Sequence, residues 1–428
     1  MRLLIENARI IDPSQQMDQV SNLYISRGRI LAISDTVPEG FTPDQVIDGG
    51  GKWVLPGLVD LHARLAEPGS RYEGNIASET KAAVSGGITT ICSPPDTNPV
   101  NDTQAVTELI QRRARQAATA FVLPIGALTQ GLEGKMLSNM AALKNAGCIA
   151  LSQASQPIQN PLTMKNAMAY AASNEILLML RCEDDELKNN GVVHSGVISS
   201  RLGLAEIPAS AETAALARDL ILAEETGARV HFSQISTARS LEMIAEAKKR
   251  GLPVTCDVAI HQLHLTEYDV MDFDSLFNVT PPLRTHEDKE ALRLGVKMGI
   301  IDAIVSDHTP LDRDVKLLPF GESEPGISGL ETLLPLTLRL VEEGVLDLNT
   351  AISALTQRPA DILGIHNGSL IEGHYADFSL FNPETPWTLD RAEMVSKGDN
   401  SPFQGWEFTG QIETTYFQGR PVYRNNQV

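Results

Sequence analysis

The spacing of apolar residues divides the chain into two β-rich ends and a long middle. Near the N-terminus, Leu3-Leu4-Ile5, Asn22-Leu23-Tyr24-Ile25 and Arg29-Ile30-Leu31-Ala32-Ile33 are short strand-type runs. Turn residues separate them, Ser26-Arg27-Gly28 among them, and the region closes at Asp48-Gly49-Gly50-Gly51. Runs bounded in this way read as strands joined by tight turns. The C-terminal end repeats the pattern in Asp377-Phe378-Ser379-Leu380-Phe381 and Glu413-Thr414-Thr415-Tyr416-Phe417, followed by Gln418-Gly419-Arg420 and Pro421-Val422-Tyr423. The two ends together predict one small β-sandwich.

The middle alternates apolar β-type runs with helix-type segments. The runs lie at 54–61, 89–92, 121–125, 148–151, 176–180, 229–232, 254–258 and 303–305. Between them, 211–226 predicts a helix with Ser210 as N-cap. The 238–250 segment predicts another, with Leu241, Ile244 and Ala245 on one face and Gly251 as its stop. Near-continuous apolar strands suit a parallel sheet covered on both faces. Eight of them over roughly 250 residues suit a TIM (β/α)8 barrel. A doubly wound sheet competes, but eight alternations with β-rich extensions favour the barrel. The predicted fold is therefore an α/β barrel over 54–364 with a composite β-sandwich from 1–53 plus 365–428.

In such a barrel the chemistry sits where strands end. The runs end in Asp60-Leu61-His62-Ala63-Arg64, Pro94-Pro95-Asp96-Thr97-Asn98-Pro99, Ser152-Gln153, Arg181-Cys182-Glu183-Asp184, Ser233-Gln234-Ile235-Ser236-Thr237, His261-Gln262-Leu263-His264 and Ser306-Asp307-His308-Thr309-Pro310. Here the chain resembles the dihydroorotases of the amidohydrolase superfamily over essentially its whole length. Pro56-Gly57-Leu58-Val59-Asp60-Leu61-His62, Glu67-Pro68-Gly69, Thr97-Asn98-Pro99-Val100-Asn101-Asp102 and Cys182-Glu183-Asp184 carry the likeness. So do Arg201-Leu202-Gly203-Leu204, Ile207-Pro208-Ala209, Pro281-Pro282-Leu283-Arg284 and Gly326-Ile327-Ser328-Gly329-Leu330-Glu331-Thr332. The resemblance implies an amidohydrolase barrel that opens and closes a cyclic amide in pyrimidine synthesis, with zinc activating water and polarising the carbonyl.

The family's own residue types are largely missing. Its opening His-x-His-x-Arg reads His62-Ala63-Arg64-Leu65-Ala66, so a ligand histidine has become Arg64 and a substrate-binding arginine has become Ala66. The bridging position on the fourth strand aligns with Gln153. The histidines expected before Cys-Glu-Asp and before Ser-Thr are Arg181 and Gln234, and the substrate-contacting asparagine is Thr280. Of the metal positions, His62 and Asp307 alone keep a ligand type. Arginine has no lone pair to give, glutamine is a weak neutral ligand, and catalytic zinc normally takes three protein ligands plus water. No cofactor and no catalytic residue are expected, and His62 and Asp307 read as vestigial. The alternative is an active zinc amidohydrolase with a site rebuilt from His62, His261, Asp307 and His308. An Arg64 or Arg181 guanidinium paired with Asp307 is expected to replace the metal charge.

Plainer readings cover the rest. His261 and His264 at i, i+3 suit a capped turn. Residues 183–186 suit a solvated acidic loop, lacking the spacing and glycine of an EF-hand. His194 and His231 suit structural or surface roles, and Gly86-Gly87 a helix-to-strand turn.

Composition then narrows the partners. The chain has 428 residues, 35 Lys+Arg against 54 Asp+Glu and a formal net charge of −19. That balance disfavours nucleic acid and anionic membrane surfaces. The four cysteines, Cys92, Cys148, Cys182 and Cys256, form no CxxC pair and suit a reducing cytoplasm. No signal peptide and no apolar run long enough to span a membrane is evident. Within the resembled family, some bacteria carry a dihydroorotase-like chain that lacks zinc ligands and assembles with aspartate transcarbamoylase. The resemblance thus implies a structural subunit in a hetero-oligomer with the catalytic chain of that enzyme, with a homodimer as a further expected state.

Overall fold

A computed structural model describes residues 2–69 and 72–425. Met1 and residues 426–428, inside the bounds expected for the composite unit, lie outside the described residues.

The barrel strands are Leu58–Asp60, Ile88–Ser93, Phe121–Ala127, Ala150–Ser152, Leu178–Leu180, Val230–Phe232, Val254–Ala259 and Ala303–Val305. They lie side by side in chain order, every neighbouring pair parallel. The eighth strand returns to the first through a parallel bridge between Ala63 and His308, and Arg64 N–H donates to the His308 carbonyl at 2.8 Å. The ring is therefore nearly closed at its C-terminal rim, the (β/α)8 architecture expected. The strand alternation sorts side chains into two cores. Val59, Cys92, Ile125, Ala150, Met179, Ala259, Ala303 and Val305 fill the interior. Leu58, Ile88, Ile91, Leu178, Val230, Val258 and Ile304 face the surrounding helices.

The two ends of the chain build one hydrogen-bonded eight-stranded sheet. Its order is Arg420–Arg424, Glu407–Phe417, Phe378–Thr388, Trp53–Pro56, Arg2–Asp12, Met17–Ser26 and Arg29–Ile33, with Gln45–Asp48 also pairing on Arg2–Asp12. Both predicted hairpin turns have positive φ at their two central residues: Arg27 (54°) and Gly28 (77°), Gln418 (51°) and Gly419 (70°). That geometry matches the right-handed twist of the flanking strands. The sheet encloses its own core of Leu3, Ile5, Ile10, Leu23, Ile25 and Leu380, with Phe378 stacked on Tyr416 at 4.5 Å.

Two expectations are corrected. The apolar run 54–61 is not one strand: Trp53–Pro56 pairs with the terminal sheet, and the barrel begins at Leu58. The chain changes sheet at Gly57, where a Cβ would sit 2.0 Å from Thr89 Oγ1. Both halves are buried, so hydrophobicity alone gives no sign of the break, and the unit boundary moves from 53/54 to Gly57. The helix expected over 211–226 runs Ala209–Thr226, with Pro208 at the N-cap position and Ser210 inside the first turn. The second helix, Ala238–Lys249, starts from Thr237, whose hydroxyl accepts the Ser240 N–H at 3.2 Å.

Candidate functional site

The rim of the barrel surrounds a pocket of about 610 Å³. Arg64, Ala66, Asp96, Ser155, Arg181, Thr280, Asp307 and Thr309 are among its lining residues. Beneath it, a smaller cavity is lined by His62, Ser152, Arg181, Ser233 and Gln234. The strand ends hold several of these residues in strained backbone. Ala66, Ala154, Gln234 and Asp307 all have φ near +50°, a region that non-glycine residues rarely occupy and that clusters at functional sites.

Asp60 ties the first strand to the eighth. Its carboxylate accepts the His62 N–H at 3.3 Å, the Ser306 N–H at 3.2 Å and the Ser306 hydroxyl. Burial still pushes its pKa up to about 7. His62 Nε2 stands 3.6 Å from Asp307 Oδ1. Burial, with Arg64 nearby, holds the His62 pKa down at about 3, so the ring is neutral. Burial raises Asp307 to about 7, opposed by the charges of Arg181 and Arg64.

The expected pairing of an arginine with Asp307 is not formed. Arg64 instead binds Asp96, through Nε at 2.9 Å and Nη2 at 2.8 Å. It also donates to Thr309 Oγ1 (2.9 Å) and Ser155 Oγ (3.2 Å). Asp96 lies closer to the Arg64 head than Asp307 does and takes its charge. Burial works against the Asp96 carboxylate, but the charge and hydrogen bonds of Arg64 outweigh it and hold its pKa below the usual range. Arg181 Nη1 donates to the same Ser155 oxygen at 3.1 Å. Asp96, Ser155 and Thr309 are the site residues that sequence reasoning missed. Asp96 was visible at a strand end, but nothing local marked it as the partner of Arg64.

Of the residues of the rebuilt-site alternative, His62 and Asp307 lie together at 3.6 Å, but His308 and His261 do not join them. His308 Nε2 lies 3.1 Å from Glu79 Oε2, and its Nδ1 accepts the Gly329 N–H at 3.2 Å. Both ring nitrogens face helix and loop rather than the mouth. His261 is buried with neither ring nitrogen bonded, and burial lowers its pKa to about 3. Gln153 also turns away: its Oε1 accepts from Thr129 (3.0 Å) and its Nε2 donates to the Leu132 carbonyl (2.8 Å). Among the described residues, no three His, Cys, Asp or Glu side chains gather to hold a metal ion.

Other candidate residues resolve into scaffold. His264 Nε2 bonds the Leu336 carbonyl at 3.0 Å. His231 lies between Asp257 (2.8 Å) and Thr255 (2.9 Å), fully buried. His194 bonds Arg284 at 3.1 Å. The 183–186 run is not wholly solvated: Glu183 is buried and bound by Lys188 at 2.7 Å, while Asp184 caps the short helix Asp185–Lys188. No described helix is long and apolar enough to cross a membrane. Burial raises the thiols of all four free cysteines.

Comparisons with known proteins place this geometry in a lineage. The sequence model described as "Dihydro-orotase-like" matches residues 51–240, and one described as "Amidohydrolase family" matches 270–423. A "Dihydroorotase-like protein" of Pseudomonas aeruginosa is 47% identical over 419 residues, 98% of this chain and 99% of its own. The chain belongs to the dihydroorotase-like family. A "Dihydroorotase" of Geobacter metallireducens is 43% identical over 426 residues, 99% of this chain and 100% of the relative. In fold, the chain matches L-hydantoinase (dihydropyrimidinase) from Arthrobacter aurescens with TM-score 0.88 at 23% identity, covering 99% of this chain and 96% of that one. Dihydropyrimidinase from Brevibacillus agri follows, with TM-score 0.86 at 22% identity and coverage of 99% and 95%.

Against the ligand set of a dihydroorotase-like site, zinc does not fit the side chains present. His62 and Asp307 supply two donors, fewer than zinc takes in a catalytic site. Arg64 and Arg181 bring positive charge to the pocket that Asp307 lines, and Gln234, in the cavity beneath, offers an uncharged amide. Ala66 and Thr280 line the same pocket without the hydrogen bonds expected of arginine and asparagine.

Proposed function

We propose that the chain is a noncatalytic dihydroorotase-like protein, a structural subunit of pyrimidine synthesis that supports assembly or stability of the aspartate transcarbamoylase catalytic chain. One observation carries the noncatalytic part: guanidiniums stand at the mouth in place of ligand imidazoles, and Arg64 is locked there by Asp96 at 2.8 Å. A guanidinium neither gives up its proton nor donates a lone pair, so no metal-activated water is generated. The partner follows from the resemblance alone, because fold does not dictate function. An acidic surface, net −19, suits a partner chosen by charge complementarity.

Size-exclusion chromatography with metal analysis tests both parts, on the protein alone and mixed with aspartate transcarbamoylase. The expected result is zinc far below one equivalent, no turnover of dihydroorotate or carbamoyl aspartate, and co-elution with the transcarbamoylase. Stoichiometric zinc with turnover overturns the noncatalytic reading. Separate elution at micromolar concentrations overturns the partner. The name "Dihydroorotase" on relatives 39–43% identical favours the second reading, a zinc-dependent cyclic amidase with a rebuilt site. That reading requires His308 to leave Glu79 and His261 to reach the mouth.

A further inference from the structure

The mouth holds hydrogen-bonding capacity and charge that the protein leaves unused. The Arg181 side chain is 8% exposed, and its Nε and Nη2 have no hydrogen-bond partner. These two nitrogens form one edge of the guanidinium, the parallel pair of donors that matches a carboxylate. Glu183 Oε2 is 3.5 Å from Nη2 without a hydrogen bond, while the other Glu183 oxygen is taken by Lys188 at 2.7 Å. Gln234, 2% exposed, has neither amide atom bonded and shares the inner cavity with Arg181. Asp307 lines the mouth with Arg181 and has no lysine or arginine within ion-pair distance among the described residues. The neighbouring charges are already spent: Arg64 on Asp96, Lys188 on Glu183.

Arg181 and Asp307 therefore line a common pocket, and neither is held by a hydrogen-bonded ion pair among the described residues. A buried polar group left unmet is costly, and a ligand of the opposite polarity removes that cost. A neutral ligand meets one need and leaves the other. A simple anion gains Arg181 but is repelled by Asp307. A zwitterion satisfies both.

We propose that the barrel mouth is a metal-free receptor site for a free α-amino acid. The ligand carboxylate lies against the Arg181 guanidinium, and its ammonium lies against Asp307, the two charged side chains that line the mouth together. The pocket, about 610 Å³, is within the usual size of small-ligand sites and leaves room for a side chain. The site is independent of any partner chain, so the chromatography above and the binding test below can fail separately.

The twenty proteinogenic L-amino acids, each added to the purified protein, form the first panel, read by thermal shift and then by isothermal titration. The best binder is compared with its deaminated acid and its decarboxylated amine. At least one amino acid is expected to bind saturably at millimolar concentration or below, with both analogues at least about tenfold weaker. Arg181→Lys keeps the charge but loses the two-donor edge, and Asp307→Asn keeps the shape but loses the charge. Each is expected to weaken binding at least about tenfold, with circular dichroism unchanged. Arg181→Gln and Asp307→Ser provide the same reading should either charge variant fail to fold. Absence of saturable binding across the panel overturns the proposal. So does equal affinity for the deaminated acid or for inorganic phosphate, or affinity untouched by these variants.

Discussion

Two buried polar clusters adjoin on the same rim, Arg181 lining a small cavity with Glu212 and Arg284, and they are finished to different degrees. Glu212, on the helix Ala209–Thr226, accepts from the Ser236 N–H at 3.1 Å, the Thr237 N–H at 3.1 Å, the Thr237 hydroxyl at 3.0 Å and the Ser240 hydroxyl at 2.5 Å. Arg284 completes the cluster with bonds to Ser236 Oγ at 3.0 Å and the Ile207 carbonyl at 3.2 Å. None of these side chains is left with a buried, unbonded polar atom, so the charge is dissolved in protein rather than in water. Arg181 at the mouth and Gln234 in the cavity beneath it keep four buried polar atoms unbonded. A saturated buried network fixes structure, whereas an unsaturated one keeps donors and acceptors free for a further group. The contrast distinguishes these two clusters by their bonding rather than by residue type.

The comparison breaks most sharply at Glu212. Glu212→Leu strands several buried donors and is expected to destabilise the fold by about 4 kcal/mol, read from the urea midpoint of the barrel. A midpoint close to wild type would mean the network is dispensable. Next, Arg64→His, Arg181→His and Gln234→His together give the mouth the imidazoles it lacks. Zinc affinity should rise about a hundredfold, close to 3 kcal/mol, measured by competition with a chelator. No gain in a folded variant would mean the three positions do not converge on one point. Gln153, engaged by Thr129 and Leu132, is left out of that graft.

The third effect is a pH dependence. His261 is held neutral with its pKa at about 3, below the ordinary value of about 6.5. The unfolded chain therefore binds the proton first. The stabilising contribution is whole above about pH 6.5 and is lost as pH falls toward 3. At pH 5 this amounts to about 2 kcal/mol, and His261→Phe should remove that part of the acid sensitivity. Equal losses for the two proteins between pH 7.5 and 5 would contradict the assignment. The smallest effect is at Gln234. Gln234→Leu deletes two unbonded polar atoms and should change stability by less than about 1 kcal/mol, in either direction. A large loss would reveal a partner for the amide and weaken the contrast with Glu212.

Particular elements show what could be read in advance. The barrel strands announced themselves because a parallel sheet buried on both faces must be apolar throughout. Ala303–Val305 matches its run residue for residue, and the other strands shift by a few positions. The same uniformity hid the change of sheet at Gly57, since Trp53–Pro56 and Leu58–Asp60 are equally apolar. At the site, the chemical identity of Arg64, Arg181 and Gln234 was legible, and with it the loss of ligand character. Their contacts were not. Asp96 is 32 residues from Arg64, and Glu79 is 229 from His308.

The amino-acid sequence alone therefore determined the order of elements, the hairpin turns at Arg27-Gly28 and Gln418-Gly419, and the kinds of atom available at the strand ends. These depend on local backbone preference and on covalent chemistry, which neighbours along the chain set. The tertiary structure alone decided which charges are spent. It gave Arg64 to Asp96, His308 to Glu79 and Lys188 to Glu183, placed Arg181 and Asp307 on the pocket, and left Gln234 unbonded in the cavity beneath. Pairing of buried charges depends on distances of a few ångströms between groups far apart in the chain, and only closure of the barrel sets those distances.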